Sequence, residues 1–191
     1  MLGGSFNPAH EGHRQISLEA LARLRLDAVW WLVSPQNPLK PVAGMAPLAQ
    51  RMAEARRVAR HPRITVTDIE TRLGTTHTAD TLRLLCRRFP GHRFVWLMGA
   101  DNLLQIDRWK DWQQIFNTVP VAVWARPSYC FEALAAKAAR RFAGARLKES
   151  QGGLLPATRP PAWVFVHGRL NPASATAIRA ARRGTPGPRG G

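Results

Sequence analysis

Eleven residues near the start of the chain, Gly3-Gly4-Ser5-Phe6-Asn7-Pro8-Ala9-His10-Glu11-Gly12-His13, combine glycines, an Asn-Pro pair and two histidines. Glycines let an anion approach the backbone, and a helix starting near the histidines adds free N–H groups and the positive end of its dipole. Two imidazoles three residues apart then fall on one side of the helix entrance. The spacing excludes the HExxH metalloprotease pattern, which needs histidines four apart. By itself an HxGH tetrapeptide is as often a tight turn with two surface histidines; the density of glycine, Asn-Pro and histidine favours a phosphate site. A second segment, Asn171-Pro172-Ala173-Ser174-Ala175-Thr176-Ala177-Ile178-Arg179, reads as another helix start, with Asn171 or Ser174 as N-cap and Pro172 in the first turn. Thr176 and Arg179 share a face, so a hydroxyl, a helix N-terminus and a guanidinium can converge on one polyphosphate. Alone it would be an ordinary capped helix with a surface arginine.

These segments need a scaffold. Runs rich in β-branched and aromatic residues predict buried strands at Ala28–Val33, Ile64–Asp68, Arg93–Leu97, Val121–Ala125 and Trp163–Val166. Helical patterns alternate with them at His13–Leu26, Leu48–Arg60, Ala79–Phe89, Trp112–Phe116, Phe131–Phe142 and Ser174–Arg183. Such alternation is the signature of βαβ units, hence a doubly wound, Rossmann-like α/β fold with a mostly parallel sheet. Residues 1–183 read as one domain, Gly144–Pro161 as a surface loop and 184–191 as a flexible tail.

The 191 residues hold 28 Lys and Arg against 12 Asp and Glu, a formal net charge of +16. That balance predicts an anionic partner, whether nucleic acid, acidic membrane or a small polyphosphate. At 45% hydrophobic residues the chain is too apolar for a disordered basic tail. Cys86 and Cys130 have no CxxC or Cys/His spacing, which speaks against zinc ribbons and disulfide frameworks and for reduced, packed thiols. No apolar run has the length of a membrane span, and the first residues lack a signal-peptide pattern, so a cytoplasmic location is expected.

Together the two glycine/histidine and Ser/Thr/Arg segments resemble those of the HxGH nucleotidyltransferases, and the chain resembles bacterial nicotinate-nucleotide adenylyltransferases along nearly its whole length. The resemblance includes Ser34-Pro35-Gln36-Asn37-Pro38-Leu39-Lys40, a proline-rich loop ending in a basic residue. Thr76-His77-Thr78-Ala79-Asp80-Thr81-Leu82 is similar to the family's TYTxDTL segment. Gly99-Ala100-Asp101-Asn102-Leu103 with Trp109 is similar to its GxDxL and tryptophan, and Ala125-Arg126-Pro127 to its RRP turn.

The resemblance implies adenylyl transfer from ATP to nicotinate mononucleotide, giving deamido-NAD and pyrophosphate. It implies catalytic roles for His10 and His13, and an ATP site of Gly4, Ser5, Phe6, His10, Gly12, His13, Ser174, Thr176, Ile178 and Arg179. It implies a mononucleotide site of Asn7, Lys40, His77, Thr78, Asp101, Trp109 and Arg126. Trp109 would stack on the pyridine ring, backbone amides at His77–Thr78 would receive its carboxylate, and Mg²⁺ would arrive on the ATP rather than in a protein cage. The same chemistry on nicotinamide mononucleotide or another HxGH substrate is the nearest alternative, although phosphopantetheine enzymes read TxGH. A basic nucleic-acid-binding module is a more distant one, because arginines are spread over every helix and no RNP, KH or zinc pattern is present.

Three departures stand out. Asn7 occupies a position where many members have Asp, and His77 one where Tyr is frequent. The family's fold also opens with a strand leading into the Gly-Gly turn, and no strand pattern precedes Gly3. The sequence reading therefore expects a sheet lacking its first strand, the natural chain beginning further upstream or the strand having been lost.

Overall fold

The computed structural model describes residues 1–35, 44–126 and 130–168 together with residue 178; for residues 130 and 131 it describes the backbone. Seven strands form one sheet: β1 (Leu2–Gly4), β2 (Val29–Val33), β3 (Ile64–Thr67), β4 (Trp96–Gly99), β5 (Val121–Trp124), β6 (Arg146–Leu147) and β7 (Trp163–Val166). Their order is β3-β2-β1-β4-β5-β7-β6, and every pairing is parallel. The doubly wound α/β architecture expected from the sequence is the one observed.

The expected absence of the first strand is overturned. Leu2–Gly4 lies in the middle of the sheet, in register with Trp31, Leu32 and Val33 on one side and with Leu97 on the other. The Leu97 N–H donates to Met1 O at 2.8 Å. A strand bonded along both edges needs only a few residues, and two glycines within it remove the β-branched pattern by which strands are read. Gly3 has its own steric reason, since a Cβ there would collide with the Trp96 indole.

Among the described residues the two faces are covered by α1 (Glu11–Arg23), α2 (Leu48–Ala59), α3 (Ile69–Leu73), α4 (Thr78–Arg88), α5 (Ala100–Gln105), α6 (Trp112–Thr118), α7 (Cys130–Ala135) and α8 (Lys137–Arg141). The pleat sorts each strand between two cores. Leu97, Ala122 and Trp124 pack with Ile16, Ala20 and Leu21 of α1, Leu24 at its C-cap, and Met52, Ala55 and Ala59 of α2. Trp96, Met98, Val121 and Val123 pack on the opposite face with Leu82 and Leu85 of α4, Leu103 of α5 and Phe116 of α6.

Several boundaries move. The fourth strand runs to Gly99 rather than stopping at Leu97, because Met98 and Gly99 pair with Val123 and Trp124 of β5. The helix expected over Phe131–Phe142 is two, separated at Ala136, whose backbone is extended. The expected loop at Gly144–Pro161 holds β6 and a 3₁₀ run over Glu149–Ala157. α3 and α5 carry too few residues to show a period of their own. Among the described residues no helix is long and apolar enough to cross a membrane. Residues 184–191 lie outside the described residues.

Candidate active site

Strands β1, β2 and β3 run outward in one direction from the middle of the sheet, and β4 begins the other half beside β1. The crevice beyond the carboxyl ends of β1 and β4 is thus the topological switch point, where ligands of open α/β sheets bind. Both glycine-containing segments singled out in the sequence end there, Gly4-Ser5-Phe6 after β1 and Gly99-Ala100-Asp101 after β4.

His10 is the N-cap of α1 and His13 its third residue. The His10 N–H donates to His13 Nδ1 at 3.2 Å, and the His13 N–H donates to His10 O at 2.9 Å. A ring whose Nδ1 accepts carries its proton on Nε2, so His13 is a neutral imidazole. The two rings lie with centroids 3.9 Å apart. Phe6 supports them from below, 4.7 Å from His13 and stacked on Trp31 at 5.0 Å. Phe6 itself is buried and has a positive φ of 46°, a backbone conformation this packing must hold in place. Ser17 closes the support: its hydroxyl donates to His13 O at 2.8 Å and accepts from Trp31 Nε1 at 2.7 Å.

His10 is buried. Burial, and then the nearby Arg126 guanidinium, lower its pKa to about 4, so it too is neutral at physiological pH. Arg126, just past β5, forms an ion pair with Asp101 at 3.0 Å. A Cβ at Gly99 would collide with the Asp101 carboxylate and crowd Arg126, which explains the glycine at that turn. His10, Asp101 and Arg126 therefore meet at the switch point from three separate strand ends.

Of the expected mononucleotide residues, Asp101 and Arg126 are in that ion pair, and His77 and Thr78 stand at the start of α4. His77 is the N-cap of α4 and Thr78 its first residue, with Thr81 N–H donating to His77 O at 3.0 Å. The N–H groups ahead of Thr81 have no partner within the helix, as at any helix start. Lys110 beside Trp109 pairs with Asp80 in the first turn of α4 at 3.6 Å, which brings Trp109 and His77–Thr78 to the same side. Five of the seven tryptophans are buried; Trp30 and Trp109 are the partly exposed pair. Trp30 packs with Phe89 and Phe94 near the opposite end of the sheet, while Trp109 packs against the core beneath α4 to α6. Asn7 takes a structural position: its Nδ2 donates to Gly44 O at 3.0 Å and its Oδ1 accepts from Ala46 N at 3.3 Å, joining the turn after β1 to the approach to α2. Gly12 is buried in the first turn of α1. Ile178 is helical, while Lys40, Ser174, Thr176 and Arg179 lie outside the described residues.

Two residues of this architecture were not found from the sequence. Arg51 is 2% exposed and donates to four backbone carbonyls. These are Ala46 O at 2.8 Å, Ser5 O at 2.7 Å, Ser34 O at 2.7 Å and Pro35 O at 2.9 Å. One guanidinium thus binds the loop after β1 to both ends of the connection between β2 and α2. The available signal was spacing, because Arg51, Ala55 and Ala59 are four apart and an arginine stands on the buried stripe of α2. The second is Glu70, buried in α3, where no periodicity distinguishes it from surface charge.

A family model described as cytidylyltransferase-like matches residues 1–181. A relative from Cereibacter sphaeroides, named probable nicotinate-nucleotide adenylyltransferase, is 58% identical over 96% of this chain and 97% of its own length. A relative of the same name from Parvibaculum lavamentivorans is 52% identical over 94% of this chain and 89% of its own. Among solved structures, the Plasmodium falciparum nicotinic acid mononucleotide adenylyltransferase complexed with NaAD aligns with a TM-score of 0.70 at 14% identity, over 94% of this chain and 80% of that one. That likeness speaks to the fold, and the sequence relatives carry the assignment further. With HxGH at the entrance to α1, at the switch point of an all-parallel sheet, the chain belongs to the cytidylyltransferase-like nucleotidyltransferases and, within them, to the nicotinate-nucleotide adenylyltransferase family.

Proposed function

We propose that the 5′-phosphate of nicotinate mononucleotide attacks the α-phosphorus of ATP in line at the β1/β4 switch point. A P–O bond forms to the incoming phosphate, the bond to the bridging oxygen between α- and β-phosphates breaks, and pyrophosphate leaves with deamido-NAD as the other product. A phosphate dianion is already nucleophilic, so catalysis reduces to alignment and to neutralising charge on the transferring group. The observation that carries this reading is the neutral His10–His13 pair at the start of α1 beside Arg126. His13 offers Nε2–H and α1 its free N–H groups to oxygens on which charge accumulates.

Gly4, Ser5, Phe6 and Gly12 shape the phosphate turn, and Ser174, Thr176, Ile178 and Arg179 are assigned to the outer phosphates on sequence grounds. Lys40, Asn7, His77, Thr78, Asp101, Trp109 and Arg126 form the mononucleotide side, with Lys40 at its phosphate and Asp101 at a ribose hydroxyl. The donors at the switch point are imidazole, guanidinium and backbone N–H, and Asp101 is already paired with Arg126. Such a set fits phosphate oxygens, so Mg²⁺ enters as part of the ATP substrate, held mainly by phosphate and water. We read the protein as cytoplasmic, with ATP and nicotinate mononucleotide as its partners in place of nucleic acid or membrane.

Pyrophosphate release measured with the acid and amide mononucleotides in parallel tests this reading. Faster turnover per unit concentration with the acid is expected; an equal or greater rate with the amide would displace the acid as substrate. Thermal stabilisation by ATP-Mg²⁺ and nicotinate mononucleotide, and not by an oligonucleotide, is the expected companion result.

A further inference from the structure

Glu70 is 5% exposed, and its carboxyl meets hydroxyl groups. Its Oε1 lies 3.5 Å from Thr81 Oγ1, and the Ser34 side chain hydrogen-bonds the same carboxyl. Thr81 is fully buried. Its hydroxyl also donates to His77 O at 3.1 Å and lies 2.8 Å from Thr75 Oγ1. The backbone continues the connection, with Thr75 N–H donating to Glu70 O at 3.0 Å. On the other side, Ser34 N–H donates to Gly4 O at 2.9 Å. Polar contacts therefore link the end of β1 through Ser34, Glu70 and Thr81 to the carbonyl of His77.

We propose that Glu70 is a positioning residue for the mononucleotide: its buried carboxyl bridges the end of β2 to the first turn of α4 and so sets the backbone of His77 and Thr78. The inference rests on the reading in which those backbone N–H groups receive the pyridine carboxylate. A buried carboxyl spanning two hydroxyls serves this role because both partners are short, so their distance to it is set by the backbone that carries them. Desolvation raises the Glu70 pKa to about 7, which makes glutamine the close mimic of its protonated form.

The test is steady-state pyrophosphate release by Glu70→Ala and Glu70→Gln, titrating each substrate against saturating partner, with the amide mononucleotide as a third arm. For Glu70→Ala, KM for nicotinate mononucleotide is expected to rise about tenfold, KM for ATP to stay within about twofold, and the preference for acid over amide to shrink, as befits lost alignment of a polar subsite. Glu70→Gln is expected to restore most of both losses. Should Glu70→Ala fail to fold, Glu70→Asp, one methylene short, is expected to shift the same two quantities in the same direction. Equal rises in both KM values, a loss confined to kcat, or parental values in the alanine variant would overturn the proposal.

A parallel variant separates this from the underlying reading. Thr78→Pro removes one N–H at the first helical position, where proline is tolerated, and His77 before it is already extended at φ −112° and ψ 133°. A raised mononucleotide KM in Thr78→Pro with parental behaviour in Glu70→Ala removes the role of Glu70 alone. Parental behaviour in Thr78→Pro removes the backbone reading and the role of Glu70 with it.

Discussion

His13 shows how a single hydrogen bond selects chemistry at the residue scale. Because its Nδ1 accepts from the His10 N–H, the ring carries its one proton on Nε2, the atom to which the proposed mechanism gives a phosphate oxygen. His13→Ala is expected to lower kcat by about 10²- to 10³-fold, the usual cost of deleting one donor to developing charge, while urea unfolding shifts by less than about 1 kcal/mol. Equal losses of activity and stability would remove the assignment. Two glycines separate steric roles in the same way. At Gly3 an added methyl meets the rigid Trp96 indole in the core, so Gly3→Ala is expected to destabilise by about 2 kcal/mol in urea unfolding. At Gly99 it meets the ends of the Asp101 and Arg126 side chains, which can swing aside. Gly99→Ala is therefore expected to leave stability near parental and to reduce kcat/KM, because the displaced ion pair borders the cleft.

At the scale of elements, the cleft is built from loops that would not hold together by their own sequences. Arg51 donates to carbonyls from two of them, and no carboxylate is among those partners. Burial pushes its pKa below the usual arginine range. Arg51→Met would leave several carbonyls inside without donors, and each such group costs about 1–3 kcal/mol. The expected loss in urea unfolding is about 3 kcal/mol or more. Arg51→Lys, with one nitrogen in place of three, is expected to recover only part of it, and full recovery would show that charge rather than the planar fork holds the loops. Arg51 was legible in outline, as a charge on an apolar stripe, but its acceptors were not: Ser5 lies 46 residues away in the chain. The strand at Leu2–Gly4 was missed for a related reason, since its pairing partners begin at Trp31 and Leu97.

For the molecule as a whole, two buried groups act on stability in opposite directions. His10 titrates at about 4 in the folded protein against an ordinary 6.5. Between those values the unfolded chain binds a proton that the native state does not, so stability falls as pH drops through the window, by about 3 kcal/mol. Glu70 titrates at about 7 against an ordinary 4.5. There the native state holds a proton that the unfolded chain releases, so stability falls as pH rises, by a similar amount of about 3 kcal/mol. Between pH 4.5 and 6.5 the two contributions oppose each other. Relative to the parent, His10→Gln is expected to lose stability as pH rises across that window, and Glu70→Gln to lose it as pH falls. Urea unfolding across the window checks both signs, and parallel curves for all three proteins would contradict the burial of both groups.

What this sequence determined by itself is whatever depends on short spacing. The HxGH pair sits at a helix entrance because glycine, proline and histidine follow one another within one segment, and the strand starting at Trp163 and the helix starting at Leu48 appear where their apolar periods place them. What only the tertiary structure decided depends on partners far apart in the chain: a three-residue central strand, an arginine that ties two loops together, a carboxyl bridging Ser34 to Thr81, and an ion pair from Asp101 to Arg126. Local propensity is a property of neighbours in sequence, whereas burial and pairing are properties of neighbours in space, and those exist only once the sheet has brought its strand ends together.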